Sequence, residues 1–529
     1  MRAMPQAATR QTSGDAGPAG TSFATIPDLI RQHARQDPLR PALEDGQVAL
    51  TYGALDERMD RIAAALQARG LQAGEVIAIC ALPSTRYAEV FLGALRAGIV
   101  VAPLAPGSMP ESLARMCDNA QARMLFFDQA SAALLSQVRS TIERVGLDTS
   151  VGGPSLQAWL AATGSRPAPV SLQPESPFNI IYSSGTTGEP KGIVQSHGMR
   201  WAHVRRWAAY GYGEDSVTLL ATPLYSNTTL VVFFPALGYG GRVHLMPKFD
   251  AASYLALAQR IRATHTMLVP VQYQRLMAHP DFGAHDLSAF LLKFCTSAPF
   301  AAALKAQVLA RWPGGLVESY GLTEGGGTCI LEAHVHTDKL HSVGRPAAGS
   351  DIRILDEEGQ EVPSGEAGEV VGHSAGMMIG YHRLPEKTRE VEWFDATGKR
   401  FIRTGDIGRL DDDGFLTLID RKKDMIISGG FNIYPSDVEA VLRSHDAVAD
   451  VAVVGVPSEQ WGETPVAFVV LRVDWRISSE DLLREINARL GKTQRLSELT
   501  FIDVIPRSPI GKVLKRELSA LVRREIAPR

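Results

Sequence analysis

From residue 23 onward, continuous apolar runs alternate with stretches whose apolar positions recur every three to four residues. Glu75-Val-Ile-Ala-Ile-Cys80 has the unbroken apolarity of a strand buried on both faces. Residues 86–97 carry helical spacing, and Gly98-Ile-Val-Val-Ala-Pro103 predicts the next strand. The same rhythm returns in Arg242-Val-His-Leu-Met246, in a helix over 251–264 and in Thr266-Met-Leu-Val269. Strand, helix and strand in alternation predict an α/β protein with doubly wound, mostly parallel sheets. Near residue 345 the texture changes. Asp351-Ile-Arg-Ile-Leu355, Gly368-Glu-Val-Val371 and Gly414-Phe-Leu-Thr-Leu-Ile419 are short strands parted by turns, which predicts a β-rich subdomain over 345–420. After Asp420-Arg-Lys-Lys-Asp424 come a helix (435–444), strands (449–456 and 466–471), a helix (478–490), a strand (500–505) and a last helix (513–526). The expected domains are therefore 23–420 and a small α+β domain over 421–529, with a hinge in the charged stretch between them.

Length agrees, since 529 residues exceed what one hydrophobic core organises. Lys+Arg 54 against Asp+Glu 57 leaves a net charge of −3, which gives no footprint for nucleic acid. Cys80, Cys117, Cys295 and Cys329 are widely spaced and form no CxxC pair. That excludes a zinc site or disulfide framework and suits a reducing, cytoplasmic setting. No run of eighteen apolar residues predicts a membrane span. Residues 1–22 are small and polar and lack the apolar segment of a secretory signal, so a disordered tail is expected there. Oligomeric state is not legible, and a homodimer stays open.

One stretch carries more chemistry than its neighbours. Residues 183–192 read SSGTTGEPKG, directly after the β-prone Phe178-Asn-Ile-Ile-Tyr182. Backbone N–H groups around Gly185 and Gly188 can form a concave anion site. Ser183, Ser184, Thr186 and Thr187 add hydroxyl donors, and Lys191 adds a compact positive charge. The spacing is not that of a Walker A loop. A flexible linker is the bland alternative, but the strand before and the Pro-Lys-Gly after argue for a specified shape.

Ile181-Tyr-Ser-Ser-Gly-Thr-Thr-Gly-Glu-Pro-Lys-Gly192 resembles the phosphate loop of the adenylate-forming (AMP-binding) superfamily. Acyl- and aryl-CoA synthetases of the fatty-acid and 4-coumarate-CoA ligase type, amino-acid adenylation domains and beetle luciferases belong to it. Four more stretches match in order, so the resemblance spans nearly the whole chain from residue 23. In Ser319-Tyr-Gly-Leu-Thr-Glu-Gly-Gly-Gly327 a carboxylate beside a triphosphate needs a cation between them, and Mg²⁺ takes one or two carboxylates plus phosphate oxygens. The resemblance implies that Glu324 holds Mg²⁺ together with Thr187. It implies that Thr323 contacts the α-phosphate and that Tyr320 and Gly321 border adenine. Asp406 of Arg403-Thr-Gly-Asp-Ile-Gly408, read as an Asp on a tight turn after a strand, would bind the ribose hydroxyls. Arg421 would contact ribose and phosphate, and Lys423 would be the hinge of a mobile lid domain. Gly429 and Gly430 would line the tunnel for coenzyme A. Lys512 of Ser508-Pro-Ile-Gly-Lys512 would reach the α-phosphate and the acid. Lys422 and Lys515 read as solvated.

The chain departs from the pattern at Thr222-Pro-Leu-Tyr-Ser-Asn227, where many relatives carry a gating histidine and this chain has Ser226. No acid occurs over 224–235, which argues against an amino-acid substrate with its ammonium group. Tyr225, Ser226, Ser297 and Ala298 are the expected acyl-pocket residues, while Phe233 and Phe234 suit either pocket or core. The resemblance implies an ATP-dependent ligase that activates a fatty or aryl acid as acyl-AMP and passes it to CoA. A carrier-protein acceptor, a light-emitting oxidation and a catalytically silent nucleotide-binding regulator are the alternatives.

Overall fold

A computed structural model describes residues 22–136, 142–148, 152–183, 191–428, 431–458, 461–473, 475–491, 494–508 and 511–526. The first expected strand forms as Val76–Cys80, and all five of its residues are buried. It lies parallel to Val100–Leu104 and Met124–Phe127. Helix Thr85–Arg96 makes the connection, begun by Ser84, whose side chain accepts from the Tyr87 N–H and so satisfies an otherwise unpaired donor.

Among the described residues these strands belong to a sheet in the order Gly380–Tyr381, Lys191–Ser196, Pro177–Ser183, Val100–Leu104, Val76–Cys80, Met124–Phe127, Glu143–Gly146. A second sheet runs Arg345–Pro346, Gly325–Glu332, Gly315–Leu322, Leu292–Cys295, His265–Leu268, Val217–Leu220, Arg242–Leu245, Pro41–Glu44, Ala49–Thr51. The mostly apolar helices Thr85–Arg96 and Asn227–Gly238 are buried in a core cluster to which both sheets contribute. Phe234 meets Phe91 at 5.6 Å and Phe178 at 5.1 Å between ring centroids. Phe233 and Phe234 are thus core residues, 1% exposed each, the commoner fate of large aromatics.

The β-rich portion is an antiparallel sheet of Asp351–Leu355, Gly368–His373, Arg400–Leu410 and Glu392–Phe394, with Leu416–Arg421 pairing the long strand. The smaller C-terminal domain has a sheet of Phe431–Ile433, Ile426–Ser428, Gly462–Leu471 and Val448–Ser458, joined by Glu498–Phe501. Helices Pro435–Arg443 and Ser479–Arg489 contribute to one of its own core clusters, and Lys515–Ile526 places Leu518 in another. Where the portions join, Ser436 donates from its backbone to Asp420 Oδ2 at 2.9 Å and from its hydroxyl to the Ile419 carbonyl at 2.5 Å.

Candidate active site

The hydroxyl-rich stretch sits at the end of a hairpin. Strand Pro177–Ser183 pairs antiparallel with Lys191–Ser196, and the last register pair is Ser183 with Lys191. Ser184, Gly185, Thr186, Thr187 and Gly188 lie between them, outside the described residues. Lys191 Nζ stands 5.5 Å from the Tyr381 ring centroid, and the Tyr381 hydroxyl donates to Glu324 Oε1 at 2.9 Å. One carboxylate oxygen of Glu324 is therefore fixed beside the base of the loop. Burial, then the Glu324 charge, raises the Tyr381 pKa, so the phenol stays a donor.

Thr323 and Glu324 do not lie in an ordinary loop. They form the two-residue turn of a hairpin between Gly315–Leu322 and Gly325–Glu332, where Leu322 pairs with Gly325. The glycines that follow have a steric reason. Gly325 has φ +78°, and a side chain there would overlap the Gly376 carbonyl. A side chain on Gly327 would overlap Ile352 of the β-rich sheet. Only glycine allows so close an approach. Tyr320 and the exposed Gly321 precede the turn on the same strand.

Asp406 is brought to this place from the β-rich portion. The expected tight turn is instead a position inside strand Arg400–Leu410, with Gly405 at φ +68° as the local kink. Strand pairing on both flanks keeps the segment extended. Asp406 Oδ2 accepts from the Tyr320 hydroxyl at 2.7 Å, and Oδ1 meets Arg421 Nε at 2.6 Å. Burial raises the Asp406 pKa against the opposing pull of Arg421, Tyr320 and Lys512.

Lys512 arrives from the C-terminal domain. The Ser508 N–H donates to the Lys512 carbonyl at 2.8 Å, and the Gly511 N–H donates to the Ser508 carbonyl at 2.8 Å. Arg507 grips Asp450 at 3.0 and 2.8 Å and fixes the base of the turn. Gly511 has φ +80°, and a β-carbon there would stand 3.2 Å from Val271 of helix Pro270–Met277 in the large domain. The turn is therefore docked on that helix. Lys512 lies within electrostatic reach of Glu324 and Asp406, and of Arg421 and Lys423. The residue is exposed, yet desolvation where the two domains meet and next Arg421 lower its pKa, while the two carboxylates pull it back up.

Lys423 is exposed in a short 3-10 turn, Lys422–Asp424. Lys422 is exposed, in line with the solvated reading, and its ammonium also pairs with Glu369 at 2.9 Å. Lys515, also expected to be solvated, has Nζ 3.9 Å from Asp424. The partners of both come from distant sequence, which composition does not reveal. Gly429 and Gly430 lie outside the described residues, between Ser428 and Phe431, which pair as neighbours.

On the acyl side, Ser226 caps helix Asn227–Gly238, its hydroxyl accepting from the Thr228 N–H at 3.3 Å. Serine is among the preferred N-cap residues. Thr228 Oγ1 bonds Ser297 Oγ. Ser297 has φ +83°, uncommon for a residue with a β-carbon, and Ala298 follows it half-buried. Tyr225 is half-buried, and desolvation raises its pKa. Separately, an open groove of about 470 Å³ runs along helix His197–Trp207, lined by Phe23, Trp201, Arg205, Met377 and Ile379. None of the nucleotide-site residues lines it.

The geometry thus joins Lys191, Tyr320, Thr323, Glu324, Asp406, Arg421 and Lys512, with Ser226 and Ser297 linked through Thr228. Sequence reasoning missed Tyr381, whose only signal is a Gly-Tyr pair ending an apolar run. It also missed Gln195 and Arg200, polar residues inside otherwise apolar segments.

Comparison with known proteins gives the family. Residues 30–382 match the family model described as AMP-binding enzyme. The chain belongs to the AMP-binding enzymes. Residues 437–512 match the AMP-binding enzyme C-terminal domain. This AMP-binding enzyme is 33% identical to a feruloyl-CoA synthase of an Amycolatopsis species over 497 residues, 92% of this chain and 97% of that one. It is 31% identical to the fatty acid–[acyl-carrier-protein] ligase ScoC of Streptomyces coeruleorubidus, over 93% of this chain and 96% of the relative. The crystal structure of ATP-bound MatB from Rhodopseudomonas palustris superposes with a TM-score of 0.84 at 29% identity, covering 94% of this chain and 99% of the other. The protein is an adenylate-forming ligase of the acid-CoA ligase family. Among the described residues no helix is long and apolar enough to cross a membrane.

Proposed function

We propose that this AMP-binding enzyme joins a carboxylic acid to a thiol in two half-reactions at one site. The observation that carries the reading is that Gly511, next to Lys512 in the C-terminal domain, stands against Val271 of the large domain, with Glu324 and Asp406 near enough to raise the Lys512 pKa. In the first half-reaction a carboxylate oxygen attacks the α-phosphorus of ATP, the bond to pyrophosphate breaks, and acyl-AMP remains. Lys191 and the loop it closes bind the departing phosphates. Asp406 and Arg421 orient the ribose, Tyr320 and Gly321 border the adenine, and Thr323 contacts the α-phosphate. Lys512 lies over the reacting oxygens, where a fixed cation is worth far more than in water.

Glu324 and Thr187 are the residues that would hold Mg²⁺. Among the described residues no group of three or more ligating side chains forms a closed metal cage. A single half-buried carboxylate next to a phosphate loop suits Mg²⁺, which completes its octahedron with phosphate and water oxygens. Bound there, the ion neutralises charge on the leaving pyrophosphate. Tyr381 holds Glu324 in place by its hydroxyl.

In the second half-reaction the domain over 421–529 rotates about Lys423, withdraws Lys512 and presents Gly429 and Gly430. The thiol sulfur attacks the acyl carbon, AMP leaves, and the thiol proton passes to solvent or phosphate, because Ser226 puts no imidazole at the gate. CoA is the thiol we propose. The family also includes the carrier-protein ligase ScoC, so a carrier's phosphopantetheine is the second reading. Tyr225, Ser226, Ser297 and Ala298 would line the acyl pocket, and a fatty or aryl acid is the expected class.

Pyrophosphate release against a panel of fatty, aryl and amino acids, with Mg·ATP and with or without CoA, tests both levels. Multiple turnover that requires CoA supports the CoA ligase. Release that stalls after one turnover despite CoA points to a carrier. No release with any acid rejects acid activation.

A further inference from the structure

Arg200, in helix His197–Trp207, is 1% exposed, and its guanidinium lies 5.5 Å from the Phe178 ring and 5.6 Å from the Phe234 ring. Among the described residues no carboxylate touches it. Its acceptors are neutral: Asn227 Oδ1 at 2.8 Å, Asn179 Oδ1 at 3.2 Å and Gln195 Oε1, with His203 Nδ1 at 3.5 Å. Its Nε has no hydrogen-bond partner among the described residues. Desolvation pulls its pKa down to about 9. A buried cation without an anion is a poor stabilising device, since the desolvation penalty is not returned by Coulomb attraction. Its effect on its neighbours is a better reason for its presence.

A guanidinium only donates. Gln195 must therefore turn its oxygen to Arg200, and its amide nitrogen faces the opposite way. That nitrogen donates to the Thr323 carbonyl at 2.7 Å. Thr323 is half of the two-residue turn that carries Glu324, and fixing its carbonyl fixes the peptide plane leading into Glu324. Without Arg200 the Gln195 amide would be free to flip and set oxygen against oxygen. The same guanidinium holds Asn227, the residue after Ser226, at the start of the helix on the acyl side.

We propose that Arg200 is a positioning residue that acts through Gln195 to set the Thr323–Glu324 turn for Mg·ATP; this rests on the assignment of Glu324 above. The chain of action is Arg200, Gln195, Thr323 carbonyl, Glu324. Lysine cannot replace Arg200, because a single ammonium does not span four acceptors on two helices and two strands.

The test uses the full-length enzyme and calorimetric affinities for Mg·ATP, metal-free ATP and AMP. Gln195→Leu and Arg200→Met are each expected to lower Mg·ATP affinity roughly tenfold, the lower end of what lost outer-shell support costs a metal site. AMP, held by Asp406 and Tyr320 as well as by Thr323 at its α-phosphate, should lose clearly less affinity than Mg·ATP, which a general structural defect would not allow. The double variant should lose no more than either single one, because both act on one chain of contacts. Additive losses, or an AMP affinity that falls in parallel, would overturn the proposal. Should Arg200→Met not fold, Gln195→Glu decides: it pairs with Arg200 yet opposes the Thr323 carbonyl, so retained Mg·ATP affinity overturns the idea. Wild-type enzyme that binds ATP equally with and without Mg²⁺ would overturn the Glu324 assignment and the proposal with it. A wild-type Mg²⁺ preference kept intact in Gln195→Leu overturns the positioning chain alone.

Discussion

Gly511→Ala separates the two half-reactions without touching a charged group. Gly511 has φ +80°, in the left-handed region. Alanine in that region costs about 1–2 kcal/mol relative to glycine. The added methyl would also stand 3.2 Å from Val271 Cγ1, 3.8 Å from Val271 Cβ and 4.0 Å from Val269 Cγ2. Relief of the first contact requires a shift of a few tenths of an ångström, away from the large domain. Strain and crowding together disfavour the docked turn by about 2 kcal/mol, or roughly 30-fold in the population that presents Lys512. The crowding exists only against helix Pro270–Met277, so it vanishes once the C-terminal domain has rotated. Acid-dependent pyrophosphate release should therefore fall roughly 30-fold, while thioester formation from supplied acyl-AMP stays within about twofold. Thermal unfolding of the variant checks that the loss is local. Equal loss of both half-reactions, or wild-type pyrophosphate release at unchanged stability, would refute the docking argument.

Lys512→Ala should lower acyl-AMP formation by about 10²–10³, the scale of one lost transition-state donor, and spare the thioester step measured from supplied acyl-AMP. Glu324→Gln should raise the Mg²⁺ concentration needed for half-maximal pyrophosphate release; an unchanged Mg²⁺ titration would remove the metal assignment. Asp406→Asn, which loses a charged acceptor for ribose, should weaken AMP binding roughly tenfold or more by calorimetry. The pH profile follows from Lys512. Its pKa lies below the usual lysine value because of desolvation and Arg421, with Lys423 adding to the depression. Lys512 must carry a proton to act, so adenylation should decline as pH rises through that lowered pKa. Lys423→Gln removes a like charge, raises the Lys512 pKa and should move the alkaline limb to higher pH; a limb that stays put would show that Lys512 does not set it.

The hydrophobic pattern alone determined which segments are strands and helices, because a fully buried run such as Val76–Cys80 can hardly be anything else between a turn and a helix. The hydroxyls and glycines of 183–192 point to an anion site, a proposal that rests mostly on residues outside the described ones, and the resemblance extends it to ATP. Local chemistry explains the strand and helix assignments, since backbone propensity and hydrophobic spacing act within a few residues. What sequence did not reveal was set by contacts between distant segments. Asp406 looked like a turn residue, yet pairing with Gly368–His373 and Leu416–Arg421 holds it in a strand. Lys422 is solvated, yet its ion pair with Glu369, 53 positions away, was not legible. Ser226 looked like a lost gate, and the fold gives it an N-cap to make. Tyr381 reaches Glu324 across 57 positions, and Gln195 reaches Thr323 across 128. Such partners become neighbours only when the hairpin 177–196, the turn at Thr323–Glu324 and the β-rich portion pack together. A hydrogen bond needs its atoms within about 3 Å, and no local pattern encodes that distance.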